Sequence, residues 1–184
     1  MVGAGYQEVL TYTLTNPESL FSKMNQTRAA VVEISNPKLV TMTCLRNQLL
    51  PGIVEFFSVN QSVEFPQKIF ELGKVTLLDE TRETETRDEE WLAAATSHGN
   101  AGFSEIKSCL DALFMNLGVA WQIKPASHPS FIDGRAGTVN VGDVEVGMVG
   151  EVNPVVLEAW KLENPMAAFE INFQRVLELK KTQS

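Results

Sequence analysis

Residues 137–152 hold the feature that most restricts how this chain can fold. Gly137 to Val141 and Val144 to Val152 are strand-type runs rich in β-branched residues, and only Gly142-Asp143 separates them. A two-residue connection closes only between antiparallel neighbours, because a parallel pair needs a crossover of a dozen or more residues. The last third of the chain must therefore build an antiparallel sheet. Trp121 to Lys124 and Met166 to Phe173 supply further strands, Asn153-Pro154 opens a short helix to about Leu162, and Gln174 to Lys181 reads as a polar tail.

The first two-thirds add strands and helices in alternation. Gly3-Ala4-Gly5 reads as the end of a helix breaking at glycine, so the chain, residues 1–184 read as one domain, is expected to be an excised fragment of a longer protein. Tyr6 to Leu14 is expected to be one strand, Asn16 the cap of a short helix with Pro17 in its first turn, and Ala30 to Ile34 a second strand. A helix opens near Gln48 with Leu49, Leu50, Ile53 and Phe57 as its buried stripe. Phe56 on that helix either points outward as an interface anchor or joins the core, and core burial is the favoured reading.

Lys68 to Leu78 is a long strand placed centrally, interrupted by Gly73 at a bulge or close backbone approach. Asp79 to Glu90 is almost all charge and threonine and reads as a solvated hairpin tip leading to the strand Trp91 to Thr96. Phe103 to Leu117 is an amphipathic helix with Ser104 as candidate cap. The sum is an α+β antiparallel sheet of roughly six strands with helices on one side.

Chemistry is sparse. The formal charge of -8 disfavours a surface that binds RNA by neutralising phosphates. Cys44 and Cys109 lack ligand spacing and read as buried thiols, which fits a cytoplasmic protein. No run is apolar enough for a membrane span and no signal peptide is evident. His98 and His128, the only histidines, have no partners at metal or triad spacing. Gly3-Ala4-Gly5 precedes a strand instead of opening a helix, so it is no dinucleotide motif, and Gly147 and Gly150 point to a bulge or close packing.

Leu45-Arg46-Asn47-Gln48-Leu49-Leu50-Pro51-Gly52 followed by Ile69-Phe70-Glu71-Leu72-Gly73-Lys74-Val75 resembles the second signature of class II aminoacyl-tRNA synthetases. His128-Pro129-Ser130-Phe131, Gly134-Arg135-Ala136, Val149-Gly150-Glu151-Val152-Asn153-Pro154 and Ala168-Phe169-Glu170-Ile171 are similar to the beta subunits of phenylalanyl-tRNA synthetases, archaeal and eukaryotic ones above all. The resemblance runs from Gly5 to about Leu177 and implies the class II synthetase fold. Gly5-Tyr6-Gln7-Glu8-Val9 is similar to the strand after the first signature helix, which packs at a subunit interface in these enzymes.

Two departures bear on function. Active members carry Phe-Arg where Thr76 and Leu77 stand, and a leucine cannot clamp an α-phosphate. The glycine-rich turn of the third signature is missing before Arg175. The resemblance therefore implies a domain with no catalytic residue and no cofactor of its own, in an assembly that uses ATP and Mg. Its expected partner is the catalytic alpha subunit, in a heterotetramer, with tRNA touched at most indirectly. Arg46, Phe56, His128 and Arg135 are the candidate interface or family-specific residues. His128 and Arg135 alternatively stabilise a turn through backbone carbonyls. The rival readings are a free-standing synthetase paralogue that still binds a nucleotide or amino acid, and an RNA-binding module.

Overall fold

The computed structural model describes residues 1–183. Its strands are β1 (Gln7–Glu8), β2 (Leu14–Thr15), β3 (Cys44–Leu45), β4 (Gln67–Leu78), β5 (Thr86–Ser97), β6 (Gln122–Pro125), β7 (Phe131–Val141), β8 (Val144–Val152) and β9 (Met166–Ile171). Its α-helices are α1 (Pro17–Leu20), α2 (Leu50–Val59), α3 (Phe103–Leu117), α4 (Pro154–Ala159) and α5 (Phe173–Gln183). Seven strands form one sheet in the order β1-β4-β5-β9-β8-β7-β6. Only β1 and β4 run parallel within it. The Gly142-Asp143 turn pairs Val141 with Val144 as the two-residue spacing requires, with Gly142 at φ 60°.

Helices cover both faces of the sheet rather than one. On one side Leu49 at the N-cap of α2, Ile53 and Phe57 of α2 and Val156 of α4 pack on Ile69, Val75, Ala93 and Ala168. On the other, Ile106, Leu110 and Phe114 of α3 and Val176 of α5 pack on Phe70, Leu92, Val149 and Phe169. Period-two alternation along β4 and β5 sends successive side chains to the two cores. Strand β9 is buried at every position because it lies at the middle of the sheet with a core on each face.

Several expectations from sequence are corrected. Tyr6 to Leu14 is not one strand: between β1 and β2 the Glu71 carboxylate takes the Thr11 N–H (3.3 Å) and hydroxyl (2.6 Å), and a side chain replaces the ladder partner. Ala30 to Ile34 forms a single bridge, Glu33 to Cys44. Strand β4 is next to the edge, covered by the two residues of β1, and is not central. Its ladder with β5 has no bulge at Gly73; the glycine serves close approach, since a Cβ there would lie 2.5 Å from Arg46 Nη2. Ser104 does not cap α3: Gly102 is the N-cap and Glu151 Oε1 accepts the Phe103 N–H at 3.0 Å. The expected polar tail is α5, whose first turn is capped by Asn172 Oδ1 accepting from Arg175 N at 2.8 Å.

Candidate functional site

A cleft of about 600 Å³ opens on the α2 side of the sheet, where β4, β5, β8 and β9 meet the loop before α2. Leu50, Leu77, Trp91, Phe131 and Met148 make its apolar wall. Its charged and polar lining includes Arg87, Glu89, Glu170, Asn172 and Arg175. Leu77, where the resemblance looks for an arginine, lies directly across the β4–β5 ladder from Arg87. A guanidinium therefore does reach this cleft, from the neighbouring strand.

That guanidinium is occupied. Arg87 Nε donates to Glu89 Oε1 at 2.8 Å and its Nη1 lies 3.6 Å from Asp79 Oδ2. Glu89 Oε2 accepts from Trp91 Nε1 (2.9 Å) and Asn172 Nδ2 (2.8 Å). The second arginine of the cleft, Arg175, pairs with Glu178 at 3.2 Å. Sequence reasoning placed Arg87 and Glu89 in a solvated tip, but β5 starts at Thr86, so the tip is only residues 79–85. The available signal was the spacing Arg87-x-Glu89-x-Trp91, which carries the period of the Trp91 strand backwards and sets all three on one face.

The floor of the cleft is Glu170, buried, accepting the Leu49 N–H at 2.5 Å and the Leu50 N–H at 3.3 Å. No side chain of the local sequence caps α2, so this carboxyl on β9 satisfies its first donors from across the sheet. Burial pushes its pKa up from 4.5 to about 7, against the lowering pull of the two N–H groups and of Arg46. The folded form binds this proton more tightly than the unfolded form. Its contribution is therefore complete below pH 4.5 and is lost as pH rises to about 7. Stability is expected to fall between pH 5 and 8 by about 2–3 kcal/mol, with Glu170→Gln removing that slope; urea titrations across the range check it.

The four residues singled out from sequence do not converge. Arg46 is buried, donating from Nη1 to Glu71 Oε1 at 2.7 Å and from Nε to the Lys74 carbonyl at 2.9 Å. His128 lines the cleft, tilted on Phe131 at 5.6 Å, and its Nδ1 accepts the Ser130 N–H at 3.2 Å. Burial holds its pKa below the usual imidazole value. Arg135 is outside the cleft lining and pairs with Glu151 at 2.7 Å, beside the start of α3. Neither His128 nor Arg135 bonds a backbone carbonyl as the turn reading supposed: one accepts an N–H and the other meets a carboxylate.

Phe56 is half-buried against the α2 core and stands in the wall of two surface grooves of about 550 and 610 Å³. The first groove also holds Leu10, Tyr12 and Val59, which are 83%, 79% and 73% exposed, and the second holds Val63. These exposed apolar side chains are interleaved with polar ones such as Thr15, Glu18 and Glu55, and several of them gathered in one groove are what a contact surface presents. Among the described residues no helix is long and apolar enough to cross a membrane, and no group of three or more His, Cys, Asp or Glu is placed to hold a metal.

Comparison with known proteins accords with this geometry. The phenylalanine–tRNA ligase beta subunits of Thermococcus sibiricus and Pyrococcus abyssi are each 48% identical over 171 residues, 93% of this chain. That of Korarchaeum cryptofilum is 43% identical over the same share. The chain spans about a third of the length of these relatives, 30% to 31%. In fold it superposes on Desulfitobacterium hafniense PylSc, a pyrrolysyl tRNA synthetase, with a TM-score of 0.78 at 16% identity, covering 98% of this chain and 65% of that one. The class II synthetase-like α+β architecture expected from sequence is thereby established. Residues 1–173 match the family model of the phenylalanyl tRNA synthetase beta chain CLM domain, and the chain belongs to that family.

Proposed function

We propose that this domain is non-catalytic and serves as the surface on which a catalytic alpha subunit assembles, within an enzyme that charges tRNA with phenylalanine at the expense of ATP. The observation that carries the reading is the state of the cleft. Stabilising a phosphoryl transition state needs cationic donors aimed at the developing charge. Leu77 supplies none, and Arg87 and Arg175 are each engaged by a carboxylate of the domain itself. The residues of the cleft do not fit a triphosphate or its magnesium ion.

The apolar strip of Leu10, Tyr12, Phe56 and Val59 supports the assembly half of the reading, because exposed aromatic and aliphatic anchors in grooves are what subunit contacts bury. The β4–β5 tip, with Asp79, Glu80, Glu83 and Glu85 against the single Arg82, repels RNA phosphate and supports at most an indirect role for tRNA. The cytoplasm is the expected compartment.

Co-expression of a beta subunit carrying this domain with the alpha subunit of the same enzyme tests the reading. Co-purification is expected, with Tyr12→Asp and Phe56→Asp together reducing recovery of the complex by about tenfold or more. An intact complex at undiminished yield would remove the assembly role from this strip. ATP-dependent pyrophosphate exchange by the domain alone would end the non-catalytic reading and favour a free-standing synthetase.

A further inference from the structure

We infer that Glu89 is an internal ligand: its carboxylate fills an anion cradle in the cleft and is the residue that excludes external anions from it. The inference rests on the non-catalytic reading and names the group responsible. Three donors of different kinds, two from β5 and one from the residue that follows β9, converge on this one side chain: Arg87 Nε at 2.8 Å, Trp91 Nε1 at 2.9 Å and Asn172 Nδ2 at 2.8 Å. The Glu89 side chain is only 15% exposed, so its charge is held by these donors and not by water.

The cradle is set by the fold and not by the chance meeting of flexible side chains. Arg87, Glu89 and Trp91 share one face of β5 by the period of the strand. Asn172 is locked from its other side, its Oδ1 capping α5 and its N–H donating to the Val146 carbonyl at 2.7 Å. A guanidinium, an indole N–H and an amide N–H fixed around one point are the chemistry that binds a carboxylate or a phosphoryl oxygen. Here the protein supplies that oxygen itself. The cradle opens on the cleft shared with Arg175 and Leu77, so an emptied cradle would face a space of about 600 Å³.

Removing the carboxylate frees three donors, while Asp79, 3.6 Å from the other end of the guanidinium, continues to hold Arg87 in place. The class of ligand expected in an emptied cradle is a small carboxylate or phosphoryl anion. Inorganic pyrophosphate is the probe. Glu89→Ala in the 184-residue chain is expected to bind pyrophosphate about tenfold or more tightly than the natural sequence, the effect of one charge-assisted hydrogen bond made available. The gain should vanish in Glu89→Ala with Arg87→Ala. In nitrogen–proton spectra, the Trp91 indole resonance, assigned with Trp91→Phe, should shift on loss of Glu89 and move back on titration with pyrophosphate.

Equal pyrophosphate affinity in the natural chain and in folded Glu89→Ala would overturn the inference. If the alanine variant does not fold, Glu89→Thr, which suits a strand and is too short to fill the cradle, takes its place, and absence of any gain there is equally decisive. These outcomes differ from failure of the underlying reading, which would show as pyrophosphate exchange by the natural chain.

Discussion

Arg46→Ala is expected to destabilise the domain by about 3–5 kcal/mol, because it leaves a carboxylate in the interior without its cation. Glu71 is 1% exposed and its Oε1 takes the Arg46 Nη1 at 2.7 Å. Its other oxygen takes the Thr11 hydroxyl and N–H, and Arg46 Nη1 itself donates to Thr11 Oγ1 at 2.8 Å. This triangle ties the chain between β1 and β2 to β4, and Arg46 Nε ties the loop before α2 to the same strand through the Lys74 carbonyl. Losing the guanidinium releases the loop before α2 from β4 and leaves the buried Glu71 carboxylate with only the Thr11 donors. For a domain of this size the thermal midpoint should drop by roughly 10 °C. The double replacement Arg46→Met with Glu71→Leu should recover most of the loss, since an apolar pair of similar volume leaves nothing uncompensated. Urea unfolding of the three variants decides the matter: a loss below about 1 kcal/mol for Arg46→Ala would mean that water reaches Glu71.

Gly147→Ala is expected to be nearly as damaging, at about 3 kcal/mol, for a steric reason. A Cβ at Gly147 would fall on the carbonyl oxygen of Glu170 and 2.6 Å from Ile171 Cα. Both obstacles are backbone of β9, the most buried strand, and neither can rotate away. The close approach occurs where the β7–β8 register slips, between the pairs Val139 with Gly147 and Asn140 with Glu145, leaving Val146 extra on β8. The Val146 carbonyl then receives the Asn172 N–H at 2.7 Å and carries the pairing of β8 beyond the end of β9. Accommodating a methyl means separating β8 from β9 next to Glu170 and Asn172. Reduced hydrogen-exchange protection confined to β8 and β9 should accompany the loss in denaturant midpoint; unchanged protection would place the strands farther apart than described.

The two glycines show what sequence could and could not say. Gly73 and Gly147 were both legible as strand interruptions, and their common reading as a bulge or close approach holds for each. Which backbone or side chain comes close is a tertiary fact: for one it is a guanidinium, for the other a neighbouring strand. The residues of the cleft divide in the same way. The absence of an arginine at Leu77 and of glycines before Arg175 could be read directly. That Arg87 stands opposite Leu77 could not, because the charged run containing it looked like a loop. Charge and threonine are compatible with an exposed hairpin end and with the paired strands below it; the alternation Arg87-x-Glu89-x-Trp91 extends the strand, and the partner strand fixes what stands opposite.

Helix boundaries follow the same division. The amphipathic period placed α3 at its observed limits and α2 within two residues, since a stripe spaced for a helix is a local property. Their caps are non-local: Glu151 on β8 serves α3 and Glu170 on β9 serves α2. In α5 the charged residues mask the apolar contacts of Phe173, Val176 and Leu179, so the segment looks like a polar tail in sequence and is a helix in the structure.

Sequence alone determined the α+β class, the antiparallel sheet with its two-residue hairpin, the buried faces of the long helices and the kinship to synthetase beta chains. All of these depend on periodicity, turn chemistry or contiguous motifs, which are properties of near neighbours in the chain. Only the tertiary structure decided that both faces of the sheet are covered, that Arg46 answers Glu71, and that Glu89 occupies the cleft. Each of those depends on charges and donors brought together from distant segments, where the low polarity of the interior strongly favours pairing a buried charge.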